Sequence, residues 1–134
     1  MVEARKKILC IEDDREAAAL IIEELADQGF ESIAAHDGKA GLDAILEHLP
    51  DLVLCDVNMP LMSGFEVLER LNEFAPRFRH IPFVFLTAMA DRENELRGRC
   101  LGADDYIVKP IDFRVLHMII NDRLAGAACK RTPA

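Results

Sequence analysis

"LVLCDVNMP", residues 52–60, begins as a strand and ends on a charge. Leu52 to Cys55 form a short apolar run, the pattern of a strand covered on both faces. Asp56 follows at once, with Asn58 two positions later and Pro60 four. A carboxylate at the end of such a run is costly unless its charge is compensated. The stretch therefore asks what kind of sheet buries a strand on both faces, and what the charge at its end is for.

Four more runs of the same character lie outward from it. They are "KILCIE" (7–12), "ESIAAH" (31–36), "IPFVFLT" (81–87) and "DYIVK" (105–109). Each gap between runs carries helical spacing. Ala17, Leu20, Ile21, Glu24 and Leu25 form the first stripe, with Asp14 as its N-cap and Gly29 at its end. Leu42, Ile45, Leu46 and Leu49 form the second, stopped by Pro50. Phe65, Leu68, Leu71 and Phe74 form the third. The fourth, Arg92 to Leu101, is poor: Leu96 and Cys100 are its expected anchors, and Gly98 interrupts it. Phe113, Leu116, Ile119, Ile120 and Leu124 form the fifth. Strict alternation of strand and helix predicts an α/β fold, a doubly wound five-stranded parallel sheet with five flanking helices. Residues 1–125 read as one domain and 126–134, "GAACKRTPA", as a C-terminal tail or the start of a linker.

The chain has 134 residues, 51% of them apolar, enough for one core. A net charge of −8 argues against direct nucleic-acid contact by this chain. No apolar run approaches the ~20 residues of a membrane span. "MVEARKK" leads straight into the first strand without a secretory apolar segment, so a cytoplasmic location is expected. Cys10, Cys55, Cys100 and Cys129 match no zinc spacing and read as reduced, small hydrophobes.

In open sheets of this kind, ligands bind beyond the carboxyl ends of the strands. Glu12, Asp13 and Asp14 end the first run, Asp56 and Asn58 the third, Thr87 the fourth, and Lys109-Pro110 the fifth. Several carboxylates in one pocket repel one another unless a cation joins them. Oxygen donors without His or Cys suit a hard ion, and Mg²⁺ takes one or two carboxylates while keeping waters. Asp13 and Asp56 are the expected direct ligands, with Glu12 acting through water. Lys109 is a second compensating charge, and a cis bond before Pro110 is plausible there.

"ILCIEDD", "LVLCDVNMPLMSG", "FLTA" and "GADDYIVKP" together resemble the four signatures of response-regulator receiver domains. They stand in the family's order, and the likeness spans about residues 6 to 125. The resemblance implies the flavodoxin-like strand order 2-1-3-4-5, which sets the first and third strands side by side and brings Asp13 to Asp56. It implies a phosphorylation-dependent signalling switch of a two-component system, with a sensor histidine kinase or phosphotransfer protein as donor. Asp56 would be the phosphoacceptor, holding the group as an acyl phosphate. Mg²⁺ would be held by Asp13, Asp56 and the Asn58 backbone carbonyl. Thr87 and Lys109 match the family's phosphoryl contacts, and Thr87 and Tyr106 its switch pair. A rim-packed aromatic on an edge strand is the other reading of Tyr106. Met59-Pro60 and Gly64 match the loop after the acceptor.

The family signals through its fourth helix, fifth strand and fifth helix, where Val115 and Met118 are candidate contacts for a homodimer or output partner. Asn58 and Met89 flank the path of a hydrolytic water, and Met89, with no acid or amide, implies slow self-dephosphorylation. No other enzymatic activity is expected. A haloacid-dehalogenase-like, Mg²⁺-dependent phosphatase shares the strand-end Asp, Thr and Lys. It wants a second Asp at the position of Asn58, and a cap domain. A non-phosphorylated receiver-like interaction module would lack an acceptor or metal residue, and none is missing.

Overall fold

The computed structural model describes residues 5–74, 76–78, 80–88 and 92–130. Its order is β1 (Lys7–Ile11), α1 (Arg15–Asp27), β2 (Glu31–Ala35), α2 (Gly38–His48), β3 (Leu52–Asp56), α3 (Gly64–Phe74), β4 (Phe83–Thr87), α4 (Arg92–Leu101), β5 (Asp105–Val108) and α5 (Phe113–Lys130). A 3-10 turn at Pro76–Phe78 joins α3 to β4. All strand pairs are parallel, in the order β2-β1-β3-β4-β5. This is the doubly wound sheet expected from the alternation, with the expected strand order.

The apolar runs are continuous because the central strands are buried on both faces. Leu9, Ile11, Val53, Cys55, Phe83 and Phe85 point to one side, where Ile45, Phe65, Leu68 and Leu71 of α2 and α3 cover them. Ile8, Cys10, Leu52, Leu54, Val84 and Leu86 point to the other, under Ile21 and Leu25 of α1 and Leu116 and Ile120 of α5. Alternation along each strand makes this division. Burial raises the Cys10 thiol to about 12 and the Cys55 thiol well above its ordinary value, so both behave as hydrophobes.

Helix ends follow local chemistry. The Asp14 carboxylate accepts from the amides of Glu16 and Ala17 at 3.0 and 3.2 Å. Gly29 follows α1 with φ +91°, a conformation that favours glycine. Helix α5 continues to Lys130, past the boundary expected at 125, and its alanines favour that extension. Residues 131–134 lie outside the described residues.

Several expected core positions face solvent instead. Leu20 is exposed, and α1 seats on Ala18, Ile21 and Leu25. Leu46 and Leu49 are exposed because α2 docks through Ile45 and through Gly41 and Ala44, two small residues that let its backbone close on β1. Phe74 is 77% exposed: the chain leaves the sheet there, and Phe78 supplies the buried ring instead. In α4 the expected anchors Leu96 and Cys100 are both exposed, whereas Gly98 is buried. Val115 and Met118 of α5 are exposed, opposite the core stripe.

Candidate functional site

The carboxyl ends of β1, β3, β4 and β5 meet on one rim. Asp56 is the last residue of β3 and only 5% exposed. It is in register with Leu86, so Thr87, 6% exposed, ends the adjoining strand one step further on. Glu12 follows β1 and is fully buried. Lys109 follows β5; its amide donates to the Thr87 carbonyl at 2.7 Å, and it precedes Pro110 across a cis peptide bond.

The Lys109 ammonium joins two carboxylates. Nζ donates to Glu12 Oε1 at 2.6 Å and lies 3.3 Å from Asp56 Oδ2. The Asn58 amide donates to Asp56 Oδ1 at a long 3.4 Å. Behind Asp56 the loop to α3 turns back so closely that a Cβ at Gly64 would overlap the Asp56 carbonyl oxygen. Glycine is therefore required there for close backbone approach.

Glu12, Asp13 and Asp56 each present a carboxylate oxygen within 4.8 Å of the other two. One ammonium does not neutralise three carboxylates, and Glu12 Oε2 is buried without a hydrogen-bond partner. Burial, then the adjoining Asp56 carboxylate, pushes the Glu12 carboxyl up from 4.5 to about 7, against the pull of Lys109. Burial lowers the Lys109 ammonium, but its bond to Glu12 and the charge of Asp56 outweigh that and leave it above its ordinary value. A surplus of oxygen donors with one buried and unpaired is the chemistry of a hard-cation site. The residues present fit such an ion.

Asp14 is spent on capping α1 and is not part of the carboxylate cluster. Met89 lies outside the described residues. Tyr106 stands on β5 in register with Phe85, its ring tilted against the Phe85 ring at a centroid distance of 5.5 Å. Two neighbours of the site were not legible in the sequence. His36 sets Nδ1 3.1 Å from the Glu12 carbonyl, although the second run looked uninformative. Gly98 packs against Tyr106, although glycine in a helical stretch signals weakness before it signals a seat.

The fold and rim define a class: a flavodoxin-like α/β domain whose strand ends gather an acidic cluster, fit for a cation, around one buried aspartate and one lysine. The chain belongs to the response regulator receiver domain family, which it matches over residues 8–121. It is 42% identical over 106 residues to the transcriptional regulatory protein DltR of Streptococcus agalactiae, covering 79% of this chain and 46% of that protein. To the transcriptional regulatory protein CpxR of Escherichia coli it is 41% identical over 110 residues, covering 82% of this chain and 45% of the other. The chain thus spans just under half the length of these relatives. A CheY-like response regulator receiver domain protein from Methanospirillum hungatei superposes with a TM-score of 0.87 at 29% identity, covering 95% of this chain and 99% of that one. The chain is a receiver domain of the two-component response regulators, a phosphorylation-dependent switch module. No helix among the described residues is long and apolar enough to cross a membrane.

Proposed function

We propose that Asp56 is the phosphoacceptor of this switch. The observation that carries the assignment is the convergence of Glu12, Asp13 and Lys109 on a strand-end carboxylate that is nearly buried yet open at the rim. A carboxylate oxygen of Asp56 attacks the phosphorus of a donor phosphohistidine, the P–N bond breaks, and the imidazole leaves with a proton. The product is an acyl phosphate on Asp56. The Lys109 ammonium, already 3.3 Å from Asp56, meets the incoming phosphoryl oxygens. The Thr87 hydroxyl binds another of them and relays the change to Tyr106. Mg²⁺, when bound, offsets charge between carboxylate and phosphoryl group. Its ligands would be Asp13, Asp56 and the Asn58 backbone carbonyl, with Glu12 acting through water.

The donor is a sensor histidine kinase or a phosphotransfer protein, and the setting is the cytoplasm. The response is read on the face of α4, β5 and α5, by a second copy or an output partner, where Leu96, Val108, Val115 and Met118 are exposed. The switch unit is residues 1–125, and 126–134 lead out of it. The chain acts on no separate substrate. Asn58 stands where a haloacid-dehalogenase-like phosphatase needs its second aspartate, and an amide cannot serve as general acid or base. Acetyl phosphate with Mg²⁺ adds one phosphoryl group to the wild type, by intact mass. Asp56→Asn abolishes that addition, and EDTA prevents it. A phosphorylated Asp56→Asn variant refutes the assignment.

A further inference from the structure

We propose that Gly98 is a positioning residue: it forms the seat that couples the Tyr106 ring to helix α4, so that neither moves without the other. Phe85 and Tyr106 are register partners on β4 and β5, and Tyr106 packs onto the core cluster that lies on the α3 side of the sheet. The backbone of α4 passes over that ring at Gly98. A Cβ added there would overlap the Tyr106 hydroxyl oxygen, lie 2.7 Å from its Cζ, and lie 3.0 Å from Phe85 Cε2. The slot that holds the ring exists because position 98 has no side chain.

The rest of the helix bears this out. Leu96 and Cys100, its expected anchors, are exposed, and Leu101 at its end is half-buried on the core. On either side of Gly98 stand two arginines over aromatic rings: Arg97 at 4.8 Å from the Phe65 centroid and Arg99 at 6.0 Å from the Tyr106 centroid. At Gly98 helix α4 therefore rests on an aromatic row through one close backbone approach flanked by two cation–π contacts, while its last residue, Leu101, packs half-buried on the core and its carbonyl accepts from the Asn72 amide at 2.7 Å. When the Tyr106 ring leaves the slot, α4 loses what lies beneath Gly98 and Arg99 loses its ring. When a side chain occupies the slot, the ring must leave or the helix must lift. The coupling is a property of packing and stands whether or not Asp56 accepts a phosphoryl group.

The chain contains one tyrosine and no tryptophan, so its intrinsic fluorescence reports on Tyr106 alone. The test uses the full chain without metal or phosphodonor, and its failure is therefore separate from any failure of the phosphoacceptor assignment. In Gly98→Ala, quenching of tyrosine fluorescence by acrylamide rises from the protected wild-type value toward that of the unfolded chain, while far-ultraviolet circular dichroism stays native. Alanine is otherwise the better residue inside a helix. Gly98→Ala therefore lowers the melting temperature when Tyr106 is present and raises it in a Tyr106→Ala background. That reversal of sign locates the cost of the methyl in the Tyr106 slot, and the rise in quenching shows that the ring moves in response. Unchanged quenching overturns the proposal, as does a loss of melting temperature that persists without the Tyr106 ring. If Gly98→Ala alone fails to fold, the double variant decides: a folded double variant supports the seat, and an unfolded one overturns it.

Discussion

Replacing Glu12 with glutamine makes the metal-free protein more stable at neutral pH. In the folded protein the Glu12 carboxyl titrates near 7, against 4.5 for an ordinary glutamate, chiefly because it is buried and stands beside the Asp56 carboxylate. Folding therefore takes up a proton between those two values. The stability this confers is fully present below pH 4.5 and is lost as pH rises to about 7. A rise from 4.5 to about 7, at about 1.4 kcal/mol for each tenfold change, sets an upper bound of about 3–4 kcal/mol on the loss. In a chain of this size that corresponds to roughly 10 °C in melting temperature. Glutamine keeps the geometry: its carbonyl oxygen accepts from Lys109 as Oε1 does now, and its amide donates to Asp56 without adding charge.

The assay is urea unfolding in EDTA from pH 4 to 8 for wild type and Glu12→Gln. The two agree in slope below pH 4.5, and the variant gains on the wild type until the gap levels off above pH 7. Asp56→Asn, measured alongside, separates the contribution of the neighbouring carboxylate. Saturating Mg²⁺ raises the wild-type midpoint more than the variant's, because the cation relieves the same repulsion. Parallel stability curves across the whole range would refute the reasoning, since the proton taken up on folding would then lie elsewhere.

Three further outcomes test the packing. Gly41→Ala sets a methyl 2.5 Å from Ile11 Cδ1 and lowers stability by about 1–3 kcal/mol in urea unfolding, through overpacking of α2 on β1. Leu61 is fully exposed at φ 70°, so Leu61→Gly relieves backbone strain without losing contacts and raises stability by about 1 kcal/mol in the same assay. A disulfide reagent at pH 8, read by peptide mapping, labels Cys100 in the native protein and leaves the buried Cys10 and Cys55 untouched until urea is added.

The strands were legible because burial on both faces leaves little choice of residue. "LVLC" and "FVFL" have no polar position for a helix or a half-exposed strand to use. The site was legible for the complementary reason. Glu12, Asp56, Thr87 and Lys109 are the polar residues that end such runs, and a parallel sheet brings all its carboxyl ends to one side. The helices were less legible, and the errors share a cause. Periodicity ranks positions by the size and apolarity of their side chains. It gave α2 a stripe through Leu46 and Leu49, but the helix docks through Gly41 and Ala44, where small residues admit a close backbone approach.

Helix α4 carries that reasoning furthest. Around Tyr106 it is seated by a missing side chain at Gly98 and the guanidinium face of Arg99, with Arg97 over Phe65 of α3, all of which a hydrophobicity pattern counts as polar or empty. The pattern correctly showed little apolar burial but named the wrong anchors. Low apolar burial also has an energetic meaning. Displacing α4 exposes neither Leu96 nor Cys100, which face solvent already, so the cost falls on the aromatic row, on the two cation–π contacts, and on Leu101 with its hydrogen bond from Asn72. The Tyr106 ring bears on the first of those costs and, through Arg99, on the second. A helix held this way shifts more readily than one clamped by leucines, and it shifts in step with a residue on the strand whose end carries Lys109.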